Sequence, residues 1–214
     1  MNNPQQRLTP SLRLNAPLCG VNSAGRAAAC SPAVGPEPVA SAETHRYASA
    51  VIRLVHASTP ALVDLARGLF REYQRAIGVD LCFQDFEREL ETLPGAYAPP
   101  EGLLLLAYLD GELAGCGAVR PLGPGVAELK RMWTRPESRG RGVARAVAEA
   151  LLEAARAAGR RTVRLDTLEW MTAARALYVS LGFRERAPYY DNPLPGVVFM
   201  ELDLAPDDET RRAS

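Results

Sequence analysis

From residue 49 to about residue 205 the spacing of apolar positions switches repeatedly between a strand period and a helix period. "AVIRLVHA" (50–57) reads as a strand. "STPALVDLARGLFREYQRAIG" (58–78) reads as a helix, with Thr59 as N-cap, Pro60 in its first turn and Gly78 at its end. Leu62, Leu65, Ala66, Leu69 and Tyr73 fall on one face of it. "FQDFERELETLPG" (83–95) predicts a shorter helix stopped before Pro94 and Gly95. "GLLLLAYLDGELAGCGAVRPL" (102–122) predicts a hairpin turning at Asp110-Gly111. Its first arm is apolar at every position from Leu103 to Leu109, the mark of a strand covered on both faces. Gly115 and Gly117 thin the second arm and permit a close approach to its backbone.

Further along, "GVAELKRMWT" (125–134) is a strand reached through Gly123-Pro124-Gly125. Val143, Val147 and Leu151, with Ala144, Ala148 and Leu152, form the apolar stripe of a helix ending at Gly159. "RTVRLDTL" (161–168) is a strand, "MTAARALYVSLG" (171–182) a helix and "GVVFMELDL" (196–204) a final strand, with "RERAPYYDNPLPG" (184–196) a loop between the last two strands. This order predicts an α/β domain on a mixed sheet, with a strand–helix–strand crossover around residues 126–168.

Residues 1–48 break the pattern. They are rich in Pro, Ala, Ser, Asn and Gly, carry no acid before Glu37, and scatter Arg7, Arg13 and Arg26. A transit-like leader and a disordered extension both fit, and the absence of an amphipathic helix favours the extension. The expected division is therefore an N-terminal extension (1–48), a folded domain (49–205) and a flexible tail (206–214).

Composition narrows the chemistry. Lys plus Arg and Asp plus Glu both number 25, so net charge gives no reason to expect nucleic acid or an acidic membrane surface as partner. No run approaches a membrane-spanning length. Cys19, Cys30, Cys82 and Cys116 are far apart, and His45 and His56 are the only histidines, so a metal site and a histidine triad are both disfavoured. Reduced, structural cysteines point to the cytoplasm, with organelle import through the extension left open.

The segment "RPESRGRGVARAVAEALLEAARAAG" (135–159) places Gly140 and Gly142, with Arg139 and Arg141, at a helix start. Free N–H groups, the helix dipole and adjacent cations suit a diphosphate. No Walker string occurs, and "GRGVAR" and "GCGAVR" each carry Arg where a dinucleotide fingerprint needs its third small residue.

"LKRMWTRPESRGRGVARAVAEALLEAARAAG" resembles the acetyl-coenzyme A segment of the GNAT N-acetyltransferase superfamily, its R/Q-x-x-G-x-G/A pattern met by Arg139, Gly142 and Ala144. "ARALYVSLGF" is similar to the same family's A-x-x-L-Y-x-x-L-G-F segment at Ala174, Leu177, Tyr178, Leu181, Gly182 and Phe183. The resemblance implies a mixed, mostly antiparallel sheet of six to seven strands flanked by about four helices. It implies a direct, metal-free transfer of acetyl from acetyl-coenzyme A to a primary amine of a small molecule or peptide, by a monomer or homodimer. Arg139, Gly140, Arg141, Gly142, Val143 and Ala144 would hold the diphosphate, and Met132, Trp133 and Thr134 the pantetheine arm. Tyr178 would assist the departing thiolate, and Glu128 or a water chain would take the amine's proton. Tyr189, Tyr190 and Asp191 are candidate acceptor contacts. Met171 stands where many relatives carry a cofactor-binding Asn, a contact that backbone or Arg175 would have to replace. A non-catalytic acyl-coenzyme A binding module is the alternative, with a nucleotide-dependent oxidoreductase behind it.

Overall fold

A computed structural model describes residues 50–79 and 85–204 of the chain. The expectations for residues 1–48 and 206–214 lie outside the described residues, as do Phe83 and Gln84 of the second helix. Along the described chain the elements are β1 (Ile52–His56), α1 (Pro60–Ile77), α2 (Phe86–Thr92), β2 (Leu103–Leu109), β3 (Glu112–Gly123), β4 (Val126–Thr134), α3 (Val143–Ala157), β5 (Thr162–Leu168), α4 (Thr172–Ser180), β6 (Arg184–Arg186) and β7 (Val197–Asp203). The strands form one seven-stranded sheet in the order β1-β2-β3-β4-β5-β7-β6. Every neighbouring pair is antiparallel except β4 and β5, which the α3 crossover joins in parallel. The mixed, mostly antiparallel sheet with four helices is as expected.

Local chemistry explains most boundaries. The Thr59 side chain accepts from the Leu62 N–H at the start of α1, and Gly78 ends it in the left-handed region at φ 63°. Asp110 and Gly111, at φ 53° and 93°, have the two positive angles of a type I′ hairpin turn.

The sheet has two covered faces. On one, Val143, Val147, Leu151 and Leu152 of α3 pack with Leu105, Ala107, Leu129, Val163 and Leu165. On the other, Val63, Ala66, Leu69 and Phe70 of α1 and Phe86 and Leu90 of α2 pack with Leu104, Leu106, Cys116 and Trp133. β2 is thus apolar at successive positions because it feeds both cores. A fully buried leucine such as Leu151 or Leu106 contributes about 2 kcal/mol.

Two details differ from the pattern. The inward face of α1 holds Ala66 and Leu69, with Leu62 and Tyr73 packed at its edge as expected, but it shifts to take in Val63 and Phe70 and leaves Leu65 41% exposed. Both stripes have helical spacing, and the sheet selects the one that seats the Phe70 ring. "RERAPYYDNPLPG" also begins with a strand, because Arg184–Arg186 pairs with β7, leaving 187–196 as the loop proper.

Candidate active site

β4 and β5 pair only at Val126–Thr162, Ala127–Val163 and Glu128–Arg164. Both strands continue beyond that point, to Thr134 and Leu168, without pairing. The cause lies partly in β4. Its register against β3 shifts between the Cys116–Trp133 and Ala118–Lys130 pairs, so Gly117 faces both Arg131 and Met132. Arg131 adopts φ 57°, a conformation rare for a residue with a side chain. Gly117 allows this bulge, since a Cβ there would lie 2.5 Å from Met132 Sδ and 2.6 Å from Val147 Cγ1. A Cβ on Gly115 would strike the Trp133 carbonyl. The thin second arm of the hairpin therefore accommodates the bulged strand beside it.

Arg131 is held in place from the α2 side. Its guanidinium donates to Glu89 Oε1 at 3.1 Å and to Oε2 at 2.5 Å, and lies 4.9 Å from the centre of the Phe86 ring. Tyr97 Oη donates to the same carboxylate at 2.5 Å. Burial pushes the Glu89 carboxyl upward, but the Arg131 hydrogen bonds and charge, with Tyr97, outweigh it and hold the group below its ordinary value.

At the start of α3 the splay opens into a cleft of about 600 Å³, which Ala76 and Ile77 of α1 also line. One wall is Met132, Trp133 and Thr134; the floor is Ser138, Arg139, Gly140, Gly142, Val143 and Ala144; the far wall is Trp170, Met171, Ala174 and Tyr178. Gly140 and Gly142 have φ of 72° and 84°, no side chain caps the first turn of α3, and a Cβ on Gly140 would meet nothing within 4 Å. The loop therefore offers main-chain N–H groups and open space together, which fits a diphosphate. Arg139 donates to the Thr134 carbonyl at 3.2 Å and stacks 5.1 Å from the Trp133 ring centre. The Arg141 guanidinium is bound to Asp110 at 2.5 Å, so what Arg141 brings to the loop is backbone. Arg145, which the sequence reading did not assign to the site, lines the cleft with Arg139.

Tyr178 sits on α4 with its ring against Phe183, centroids 5.7 Å apart, and reaches both this cleft and a narrower slot of about 60 Å³ between β4 and β5. Burial drives its phenol well above the ordinary tyrosine value, with Tyr73 and Asp166 adding to the shift. Met171 lines both cavities, with Thr167 Oγ1 3.7 Å from its sulfur. Arg175 is turned to Glu185 at 2.7 Å, and Trp170, missed in the sequence, stands 55% exposed at the rim.

The slot leads through the sheet to a polar patch on the α1–α2 face. Glu128 is 1% exposed there; it accepts from Arg120 Nε at 2.8 Å and from Tyr189 Oη at 2.8 Å, and Lys130 Nζ stands 3.9 Å away. Lys130 also meets Asp166 Oδ1 at 3.2 Å. Asn192 Nδ2 contacts Asp166 Oδ2 at 3.4 Å and Tyr190 Oη at 2.8 Å. Tyr189 and Tyr190 pack with Phe199, with all three centroid distances between 5.1 and 5.3 Å. The 187–196 loop is thus fastened to this patch through Tyr189, Tyr190 and Asn192, whereas Asp191 is exposed. Lys130, Asp166 and Tyr73 line the slot; Glu128 lies behind Lys130. Among the described residues no group of His, Cys, Asp and Glu could hold a metal ion, and no helix is long and apolar enough to cross a membrane.

A sequence profile of the acetyltransferase (GNAT) family matches residues 62–183. The chain belongs to the GNAT acetyltransferase family. An uncharacterised N-acetyltransferase of Schizosaccharomyces pombe is 38% identical to it over 148 residues, spanning 68% of this chain and 91% of that protein. The IAA acetyltransferase of Azospirillum brasilense is 36% identical over 147 residues, 67% of this chain and 93% of that one. The rat N-acetylaspartate synthetase is 37% identical over 108 residues, covering 50% of this chain but 35% of the synthetase. Among solved structures, a GNAT acetyltransferase of Staphylococcus aureus superposes with a TM-score of 0.61 at 18% identity, over 72% of this chain and all of that one. A Bacillus subtilis acetyltransferase solved with CoA gives 0.53 at 20% identity, over 72% of this chain and 100% of that one, a likeness of fold. In this GNAT acetyltransferase the glycine loop and Met132–Thr134 line one cleft, and Tyr178 and Met132 line both it and the neighbouring slot between the splayed strands.

Proposed function

We propose that this GNAT acetyltransferase moves an acetyl group directly from acetyl-coenzyme A to a primary amine of a small molecule or peptide, in the cytoplasm, as a monomer or homodimer. The observation that carries the reading is the gap beyond the Glu128–Arg164 pair, which opens to the glycine loop on one face and to a polar patch on the other. A donor and an acceptor can then meet inside the sheet from opposite sides. Support for the donor comes from the amide-lined loop at Arg139–Ala144 and from the CoA-bound neighbour.

With the diphosphate on that loop, the pantetheine arm would run beside Met132–Thr134 as an added strand. The Met132 N–H, re-aimed by the bulge, would polarise the thioester carbonyl. The amine nitrogen then bonds to the carbonyl carbon, and the carbon–sulfur bond breaks. Of the two protons an ammonium must lose, one ends on the thiol and one reaches solvent. A lysine-like amine with pKa about 10.4 is about one part in two thousand neutral at pH 7, so Asp166, which lines the slot, or a water chain has a proton to accept, while Glu128 is closed in by Arg120 and Tyr189. The buried Tyr178 phenol remains a hydrogen-bond donor for the developing thiolate. Cys116, a buried free thiol, is in keeping with a reducing compartment. The test is thiol release from acetyl-coenzyme A across a panel of amines: release that requires an amine supports transfer. Donor binding with no turnover on any amine would favour the non-catalytic module instead.

A further inference from the structure

The geometry points to a zwitterionic acceptor: a small amine with an adjacent carboxylate, its ammonium received by Asp166 and its carboxylate by Lys130. The inference rests on the transfer reading above and specifies its substrate class.

Three observations carry it. First, the parallel register sets Lys130 and Asp166 one alternate pair beyond Glu128 and Arg164, which is where the strands have parted and nearer the bulge. Both line the slot that also holds Met132 and Tyr178. Second, the two charges are joined at 3.2 Å and little exposed, their side chains 7% and 16% accessible. A buried pair is tolerated because each charge answers the other, and removing either partner alone is strongly unfavourable. A ligand bringing only an ammonium to Asp166 would set a second cation beside Lys130, whose other carboxylate neighbour, Glu128 at 3.9 Å, is already shared with Arg120. A ligand bringing both signs exchanges one ion pair for two. Third, the other carboxylate of the patch is already engaged: Glu128 accepts from Arg120 and Tyr189 and stands behind Lys130. It is therefore a positioning residue for Lys130 and the loop, and Asp166 is the carboxylate that meets the amine. Asn192, itself bonded to Tyr190 Oη, contacts the Oδ2 of Asp166, and Lys130 meets Oδ1.

The experiment compares amino acids with their decarboxylated counterparts as acceptors: serine with ethanolamine, phenylalanine with phenethylamine, histidine with histamine. Thiol release gives kcat/KM for each, and donor titration shows that each variant is folded. The wild type is expected to favour the acids by about 100-fold, the scale of losing one partner of a buried charge contact. Lys130→Met should reduce that preference to less than about 5-fold, chiefly through the acceptor KM, and Lys130→Arg should retain most of it. Wild-type turnover of the decarboxylated amines as fast as the acids overturns the inference and leaves the transfer reading standing. So does an undiminished preference in folded Lys130→Met. Should that variant not fold, the wild-type comparison and Lys130→Arg decide. No thiol release with any amine overturns both readings.

Discussion

Glu89→Gln removes one negative charge from beneath the bulge and changes little else in shape. In the wild type that charge answers an Arg131 side chain only 3% exposed, through contacts of 2.5–3.2 Å, and also accepts from Tyr97. The variant leaves a buried guanidinium with no opposing charge, its remaining partners an amide oxygen and the Phe86 ring. Removing one member of a buried pair costs about 3–5 kcal/mol. In a domain of this size that is a fall of about 6–20 °C in the thermal midpoint. Circular dichroism melts of both proteins at neutral pH measure it, and a pH series supplies the sign. The folded-state value of Glu89 is depressed, so its contribution is present above the unfolded carboxylate value and disappears as pH falls through the folded one. The gap between wild type and Glu89→Gln must therefore narrow on acidification. Because the partner left behind is the problem, adding Arg131→Met to Glu89→Gln should recover more than half of the loss. A neutral-pH gap under about 1 kcal/mol, or one that acid leaves unchanged, would refute the claim that this pair holds the bulge.

Other expectations concern the cavity. Tyr178→Phe keeps the contact with Phe183 and should melt within about 1 kcal/mol of wild type, yet lower kcat by about 10- to 100-fold with little change in donor KM; unchanged kcat removes Tyr178 from the reaction. With the phenol raised by burial and Tyr73 pushed up to about 12, kcat/KM should climb toward the acceptor amine's own pKa with no falling limb from either tyrosine below pH 10. A descending limb near pH 9 that Tyr178→Phe abolishes would contradict this. Gly140→Ala meets no atom within 4 Å but forces a side chain to φ 72°, so it should cost about 1 kcal/mol of stability and weaken donor binding by at least about 10-fold. Equal affinity for both proteins, measured by calorimetry, would move the diphosphate off the loop. Both tryptophans of the chain line the cleft, so donor binding should alter the intrinsic emission, and Trp170→Phe should remove most of the change because Trp170 is the more exposed ring.

What the sequence disclosed and what it concealed follow a physical division. The Asp110-Gly111 turn, the Thr59 cap and the glycines before α3 are local devices, whose backbone demands are met by adjacent residues. They could be read directly. The shifted face of α1 could not, since Leu65 and Phe70 are equally apolar and only the opposing sheet chooses between them. β6 was hidden because Arg-Glu-Arg carries no apolar alternation; Arg186 instead meets Glu201, which also receives Arg164. The glycine-loop lining of the cleft was legible in one contiguous stretch, whereas Trp170 and Arg145 were not assigned to it. In the polar patch proposed to receive the acceptor, Lys130, Asp166 and Asn192 come from three segments, and a parallel register with a bulge beside it brings them together. Glu128 was recognisable as a carboxylate on β4, but its neighbours Arg120 and Tyr189, which enclose it, arrive from β3 and the 187–196 loop.

Among the described residues, three residue pairs make up the β-ladder between the β1–β4 half of the sheet and the β5–β7–β6 half, with the Lys130–Asp166 and Tyr189–Glu128 side-chain contacts beside it. Such a narrow seam makes the C-terminal half a candidate for opening as its own cooperative unit, with amides that exchange faster than those of the hairpin core. An extended ligand lying in the split would act as mortar along that joint. Donor binding should accordingly slow deuterium uptake on both sides of the seam at once, including strands the ligand never touches.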